Sequence, residues 1–303
     1  MVRVLLSGSS GFLGSHLRTA LTERGHHVTA LVRRDPTGPD ESRWDPATGG
    51  FDAVAVEQAD VVVNLAGSPT LGNPHSKAWS DALLDSRVST TRLLAEAVTN
   101  SERRPALLAG NAVGWYGDHG SQPVTESADS RGHTLMTQVC RAWQEAAAPA
   151  VRAGARVAFL RTSPVMDLDS APLKMLVPLF RAGLGARLGD GRQHMPMVSL
   201  RDWVGGVVHV LEGDLEGPVN LTCPETPTNA EFTATLARLL HRKALLPAPA
   251  PLLRLAAGRL SPELLGSVNA VPAALRADGY AFQDEDVAAV LTAGLDAHWQ
   301  TLS

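Results

Sequence analysis

The stretch "SGSSGFLG" (7–14) constrains this chain more than any other. It follows "VRVLLS" (2–7), a β-branched and leucine run that reads as a buried strand. It opens "FLGSHLRTALTER" (12–24), whose apolar residues recur at helical spacing until Gly25 stops them. Gly8, Gly11 and Gly14 allow a turn sharp enough to lead the strand straight into the helix. With no side chain at Gly8 or Gly11, a pyrophosphate can approach the backbone, and Gly14 lets the helix lie on the strand. The backbone N–H groups of Ser9, Ser10, Phe12 and Leu13 then sit at the positive end of the helix dipole, where phosphates bind. A glycine turn alone can be a tight corner and no more. The strand before it and the helix after it point to a nucleotide.

The pattern continues with strands at "HHVTALV" (26–32), "ADVVVNLAG" (59–67), "PALLAGNAV" (105–113) and "RVAFLRTSPV" (156–165). Helices at 77–99 and 134–152 separate them, and 35–50 reads as a loop rich in Pro, Gly and Asp. Such alternation predicts α/β architecture: a Rossmann-type, doubly wound parallel sheet covered on both faces. After residue 164 the pattern loosens into a helix and a Gly-rich, hairpin-like stretch. "LRDWVGGVVHVLEG" reads as a helix returning to the sheet, and "GPVNLTC" (217–223) as a late strand. "TNAEFTATLARLLHR" (228–242) reads as an amphipathic helix capped by Thr228 or Asn229. The expected division is a nucleotide-binding domain of 1–163 plus 201–221, with a smaller intertwined substrate lobe and cap of 164–200 plus 222–303.

Composition excludes several classes. With 303 residues and a net charge of −4, nothing suggests nucleic-acid or anionic-membrane binding. Cys140 and Cys223 form neither a disulfide framework nor a CxxC pair. No apolar run reaches the ~18 residues of a membrane span, and no signal region precedes the glycine turn. The expectation is a cytoplasmic protein, monomer or homodimer, with a small-molecule substrate and no metal.

The tip of the second strand selects the nucleotide. An acidic residue about 20 positions past the turn would hold the ribose hydroxyls of NAD, whereas arginine accommodates the 2′-phosphate of NADP. Here "LVRRDP" places Arg33 and Arg34 at the tip, and paired guanidiniums suit a phosphate dianion. NADP(H) is favoured, and Asp35 leaves NAD as the rival.

These residues, together with "NLAG" (64–67), resemble the extended short-chain dehydrogenase/reductase superfamily. "SRVSTTRLLAEAV" (86–98), "NAVGWYGDHG" (111–120), "VTES" (124–127), "VCRAWQEAA" (139–147), "RTSPV" (161–165), "LVPLFRAGLGARLGDGRQHMPMV" (176–198) and "VPAALRADGYAF" (271–282) narrow the resemblance. Together they are similar to an atypical, epimerase-like family within the NAD-dependent epimerase/dehydratase superfamily, one with a small C-terminal domain of unknown function. The resemblance implies cofactor contacts from the glycine turn, Arg33, Arg34, Leu65, Ala66, Gly67 and Arg87. It places Pro164 and Val165 near the nicotinamide. Arg87 has a second reading, a surface ion pair with Asp85 or Glu96.

A typical member of the superfamily uses tyrosine as proton donor, a lysine four residues later to lower its pKa, and a serine to hold the substrate oxygen. This chain has only Tyr116 and Tyr280, followed four residues on by Gly120 and Asp284. None of Lys77, Lys174 and Lys243 completes the motif. By register the tyrosine and lysine positions fall near Met136 and Cys140, and the serine position is Asn111. Asn111 can donate a hydrogen bond to an oxyanion but no catalytic proton. The expected catalytic residues are therefore Asn111 and Tyr116, with His119, Glu126 and His194 facing substrate. The leading expectation is an NADP(H)-dependent oxidoreductase or epimerase-like enzyme. A non-catalytic NADP(H) sensor and a redox-neutral dehydratase or cyclase are the alternatives.

Overall fold

The computed structural model describes residues 1–70, 72–244 and 247–296. Strands β1 (Arg3–Ser7), β2 (His27–Val32), β3 (Glu41–Asp45), β4 (Gly50–Phe51), β5 (Val61–Asn64) and β6 (Ala106–Ala112) fill the first third, with helices α1 (Phe12–Glu23), α2 (Ala53–Gln58) and α3 (Lys77–Asn100) between them. Next come β7 (Pro123–Val124), α4 (Leu135–Glu145), α5 (Ala148–Arg152), β8 (Val157–Thr162), β9 (Val165–Met166) and α6 (Ala171–Arg181). The chain continues through β10 (Arg187–Leu188), β11 (Val198–Ser199), α7 (Leu200–Glu212), β12 (Gly217–Leu221) and α8 (Asn229–Leu239). It closes with β13 (Pro247–Ala248), α9 (Ala250–Ala257), α10 (Ser261–Leu265), β14 (Asn269–Ala270), α11 (Ala273–Ala277) and α12 (Val287–Leu295).

The main sheet runs β12-β8-β6-β5-β1-β2-β3-β4, parallel except for β4. The chain winds outward from β1 to β3, then crosses to β5 and winds the other way. The strand order therefore reverses between β1 and β5, the crevice where doubly wound sheets bind ligands. Alternation along β1 feeds two cores. Val4 and Leu6 pack with Leu17 and Leu21 of α1 and Trp203 and Val207 of α7, whereas Leu5 packs with Leu94 and Val98 of α3. Both faces are covered, as a parallel sheet requires. A separate core under the smaller lobe joins Met166, Phe180, Met197, Phe232 and Leu291.

Several elements differ from their sequence expectation. The 134–152 helix breaks into α4 and α5, because Pro149 has no N–H to bond the preceding turn. The 35–50 loop contains β3, which extends the sheet and buries Trp44. The Gly-rich stretch forms no hairpin: β10 pairs in parallel with the remote β13, and β11 with β9. Thr228 caps α8 in a reciprocal capping box with Glu231. No helix among the described residues is long and apolar enough to cross a membrane.

The C-terminal segment is tied down through Asp202 of α7, 1% exposed. Its carboxylate accepts from the Tyr280 hydroxyl at 3.0 Å and from the backbone N–H groups of Gln283 and Asp284 at 3.0 and 2.8 Å. Arg201 beside it clasps the buried Asp284 with both ends of its fork. Asp202→Ala leaves these donors buried and unpaired, so it is expected to cost about 3 kcal/mol. Urea unfolding measures this, and a loss under about 1 kcal/mol would mean the segment docks by apolar contact alone.

Candidate functional site

The glycine turn and the loop after β5 meet at the point where the strand order reverses. Gly8 is left-handed (φ +76°), and a Cβ there would lie 2.7 Å from the Leu65 carbonyl carbon and 2.9 Å from the Ala66 nitrogen. A Cβ on Gly14 would fall 2.1 Å from the Gly8 carbonyl oxygen. Both glycines are thus required by backbone-to-backbone approach. Gly11 donates its N–H to the Gly8 carbonyl at 3.0 Å, which tightens the turn. As the N-cap of α1 it supplies no side-chain cap, so the amino end of the helix is left to a ligand. Ser9, Phe12 and Leu13 are half-buried around it, and Ser10 is exposed. With Gly67 on the facing loop, this cradle fits the pyrophosphate of a dinucleotide.

A buried polar network forms its floor. Asn64, at the end of β5, accepts from Ser7 Oγ at 2.6 Å and from the Ala66 N–H at 3.1 Å. It donates to Thr91 Oγ1 at 2.8 Å, which also receives the Trp143 indole N–H at 2.8 Å. Arg87 lies on the inward stripe of α3 with Leu83, Thr91 and Leu94. It is 8% exposed, donates to the Ser68 and Leu83 carbonyls and to Thr70 Oγ1, and stacks over Trp143. Burial depresses its pKa, and its Nε has no partner among the described residues. The surface ion pair with Asp85 or Glu96 does not form. Arg87 instead braces the loop carrying Gly67, where a Cβ would lie 3.4 Å from the guanidinium.

At the tip of β2, Arg34 is already engaged, forked onto Glu41 of β3 at 2.5 and 2.7 Å. That contact pulls the Glu41 carboxyl down to about 2. Asp35, the residue that kept NAD in play, is paired with Arg43 at 2.6 Å. Arg33 is exposed.

The expected catalytic residues are spent elsewhere. The Asn111 amide donates to the Cys140 carbonyl at 3.1 Å and accepts from the Ala112 N–H at 2.7 Å, and the residue is 2% exposed. Tyr116 is fully buried: its hydroxyl donates to Asn220 Oδ1 at 2.6 Å and accepts from Arg161 at 2.9 Å. Burial, outweighing Arg161, raises its pKa. Neither side chain is free to meet substrate, so both expectations are corrected to structural roles. Glu126 accepts from the N–H groups of Asn220 and Ala274, each at 3.1 Å. The His119 ring bonds the Asp129 carbonyl, and His194 holds Ser267 through its own backbone. The carbonyl of the exposed Pro164 accepts from Val198, while Val165 points into the main core.

Sequence reasoning missed Arg161, a buried cation on β8 stacked 3.7 Å over Trp115 and bonded to Tyr116, Glu126 and Gln144. It also missed a cleft of about 420 Å³ beyond the carboxyl end of β6, a size suited to a small ligand. The loop after β6 lines one side with Gly114, Gly117 and Asp118. The N-cap of α4, Thr134, lies between, and Arg254, Ser261 and Glu263 come from the C-terminal segment. His119, Glu126 and His194 are not among its lining residues. A polar residue on an otherwise apolar stripe was the available signal for Arg87. Nothing local signals that α10 folds back over α4.

Residues 4–221 match the NAD dependent epimerase/dehydratase family, and 248–293 match DUF1731, a domain of unknown function. An epimerase family protein of Mycobacterium bovis is 39% identical over 290 residues, covering 95% of this chain and 96% of that protein. Among solved structures, the human epimerase family protein SDR39U1 (isoform 2) with NADPH superposes with a TM-score of 0.84 at 29% identity, covering 96% and 98% of the two chains. A nucleoside-diphosphate sugar epimerase from Corynebacterium glutamicum superposes with a TM-score of 0.79 at 31% identity, covering 97% of this chain and 58% of that one.

Tyr116→Phe discriminates the two roles of the phenol. It strips Asn220 of its donor and Arg161 of an acceptor, so it is expected to cost about 1–3 kcal/mol of stability while nicotinamide-nucleotide affinity stays constant. Undiminished stability in urea would reopen a catalytic role.

Proposed function

Because this chain belongs to the NAD dependent epimerase/dehydratase family, we propose that it is an NADP(H)-dependent oxidoreductase or epimerase-like enzyme acting on a small organic substrate. The observation that carries this reading is the glycine cradle, closed by backbone approaches at Gly8 and Gly14 that no other residue permits. NADPH in the human relative's structure supports the same cofactor here.

Each element of the chain has a part in binding. The backbone N–H groups of Phe12 and Leu13 at the amino end of α1 hold the pyrophosphate, with Ser9 and Ser10 in the turn. Arg33 meets the 2′-phosphate, while Arg34, neutralised by Glu41, fixes the β2–β3 corner. The Asp35–Arg43 pair removes the acid that would otherwise repel that phosphate. Asn64 and Arg87 keep Leu65, Ala66 and Gly67 in register against the turn. Pro164 borders the nicotinamide end. When bound, the nicotinamide supplies a hydride donor or acceptor. The cleft beyond β6 shelters the substrate and opens to solvent for exchange. The chain acts as a soluble cytoplasmic protein, monomer or homodimer.

A second reading, a non-catalytic NADP(H)-binding protein, draws on the engagement of Asn111 and Tyr116 in structural bonds. Both readings require the cofactor, so the fluorescence titration comes first. NADPH should bind at least about tenfold more tightly than NADH, a difference of roughly 1.4 kcal/mol. Arg33→Ala should bring the two affinities together. Equal affinities in the parent protein would remove the role given to Arg33, and no binding of either would remove the cofactor reading altogether.

A further inference from the structure

The cleft lacks the tyrosine that its architecture is expected to hold, yet an acid has arrived at the same place by another route. Glu263 lies on α10, inside the segment matching the domain of unknown function, 127 residues further along the chain than Met136. Its Oε1 accepts the Met136 backbone N–H at 3.1 Å, and the Thr134 side chain bonds the same carboxyl. Met136 marks the register of the usual tyrosine. We propose that Glu263 is the proton donor and acceptor of this cleft, and that the cleft takes a small carbonyl compound bearing an anionic group, which Arg254 holds. This deepens the oxidoreductase reading and rests on it for the redox half of the reaction.

Elimination along the walls supports the assignment. Only Asp118, Arg254 and Glu263 among the lining residues carry a titratable group. One oxygen of Asp118 is committed to the N–H groups of Gly120 and Ser267, which fold its own loop. The Thr134 hydroxyl caps α4 by accepting from the Thr137 N–H. Three groups face Glu263 from the packed elements: Asp118 from the loop after β6, Cys140 from α4 and Arg254 from α9. Burial pushes the Cys140 thiol up to about 12, so it stays neutral. Burial also raises the Glu263 carboxyl above the ordinary range, against the hydrogen bonds from Thr134 and Met136 that favour the anion. A raised carboxyl keeps its proton closer to neutral pH, as a general acid must.

The step balances without a further reagent. A hydride from the dihydronicotinamide forms the new C–H bond. The Glu263 O–H breaks, its proton forms the alcohol O–H, and Glu263 is left as a carboxylate beside an oxidised nicotinamide. Water entering the open cleft returns the proton. In the oxidative direction the carboxylate takes the alcohol proton.

The role is separable from that of a mere strut, because Glu263→Gln keeps an oxygen for the Met136 N–H and removes only the proton. Benzoate serves as the probe of the full-length protein, titrated calorimetrically from pH 5.5 to 8.5. Protonated Glu263 can donate to its carboxylate, so the parent's affinity should fall by about tenfold per pH unit above the carboxyl's pKa. The E263Q variant, whose amide does not titrate, should give a flat profile, and Arg254→Ala should weaken binding at every pH. A flat profile in the parent, or no saturable binding, overturns the proposal. With 4-carboxybenzaldehyde and NADPH, E263Q should lower kcat by about a hundredfold or more at unchanged NADPH affinity and unfolding midpoint. Rates within twofold of the parent, or no turnover by the parent when benzoate fills the cleft, overturn it equally. Failure to bind NADPH would instead sink the cofactor reading and leave the benzoate profile standing.

Discussion

The structure depends on the contact between the Gly8 carbonyl and the first turn of α1. A Cβ at position 14 would sit 2.1 Å from that oxygen, well inside any tolerable separation. The same turn presses from its other side on Leu65 and Ala66. Two backbone-to-backbone approaches, one to a helix and one to a neighbouring loop, therefore converge on four residues. Side chains cannot absorb a change there by choosing another rotamer, because the colliding atoms are backbone. The helix axis, the loop after β5 and the opening between them are fixed together. This is the geometry a pyrophosphate needs, and the packing requires it before any ligand is considered.

What stands behind the cradle is polar, and it is held by exhaustive pairing. Ser7, Asn64, Thr91 and Trp143 form one chain of buried hydrogen bonds from β1 to α4. A second network crosses the sheet edge. Arg161 bonds Tyr116 and Gln144 and stacks on Trp115, Tyr116 bonds Asn220, and Glu126 bonds the backbone of Asn220 and Ala274. Such networks stabilise only when every member is satisfied, since an unpaired buried group costs more than a paired one returns. Arg161 carries a full charge away from water. Aromatic faces and neutral acceptors compensate it, an arrangement worth about 2 kcal/mol per desolvated cation–π contact. Residues that look like acids and bases in the sequence are here the fasteners between the sheet and the C-terminal segment.

This explains which parts of the protein were legible in the sequence. Period-two and 3.6-residue patterns, with glycine punctuation, are local signals, and they located β1, α1, β2, α3, β6, β8, α7 and β12 within a few residues. The glycine turn was equally legible, because its chemistry lies within eight consecutive positions. Tyr116 and Glu126 were misread for the opposite reason. Their partners, Asn220 and Ala274, lie 104 and 148 residues away, and no spacing rule connects them. Arg34 was half-read: its position at the tip of β2 was visible, but its engagement by Glu41 depended on β3 forming where a loop was expected. The pairing of β10 with β13 escaped for the same reason as the return of α10 over α4.

That return decides how the two matched segments relate. The first, ending at residue 221, contains the sheet and the glycine cradle, and the second begins at 248. Neither holds the cleft alone. Gly114, Gly117, Asp118 and Thr134 are one wall, and Arg254, Ser261 and Glu263 are the other. The second wall is fastened at both flanks: Asn269 and Ala270 pair as a strand with Pro123 and Val124, and Tyr280 to Asp284 hang from Asp202 on α7. Met136 offers a free backbone donor because it lies in the first turn of α4, where helical N–H groups have no intrahelical acceptor. A carboxylate delivered there satisfies the donor, gains from the dipole and faces the cavity at once. A tyrosine grown from α4 would reach the cleft from within its own helix. A glutamate from α10 reaches it only when the second segment is docked, so the proton-bearing group and the wall that shelters it arrive together.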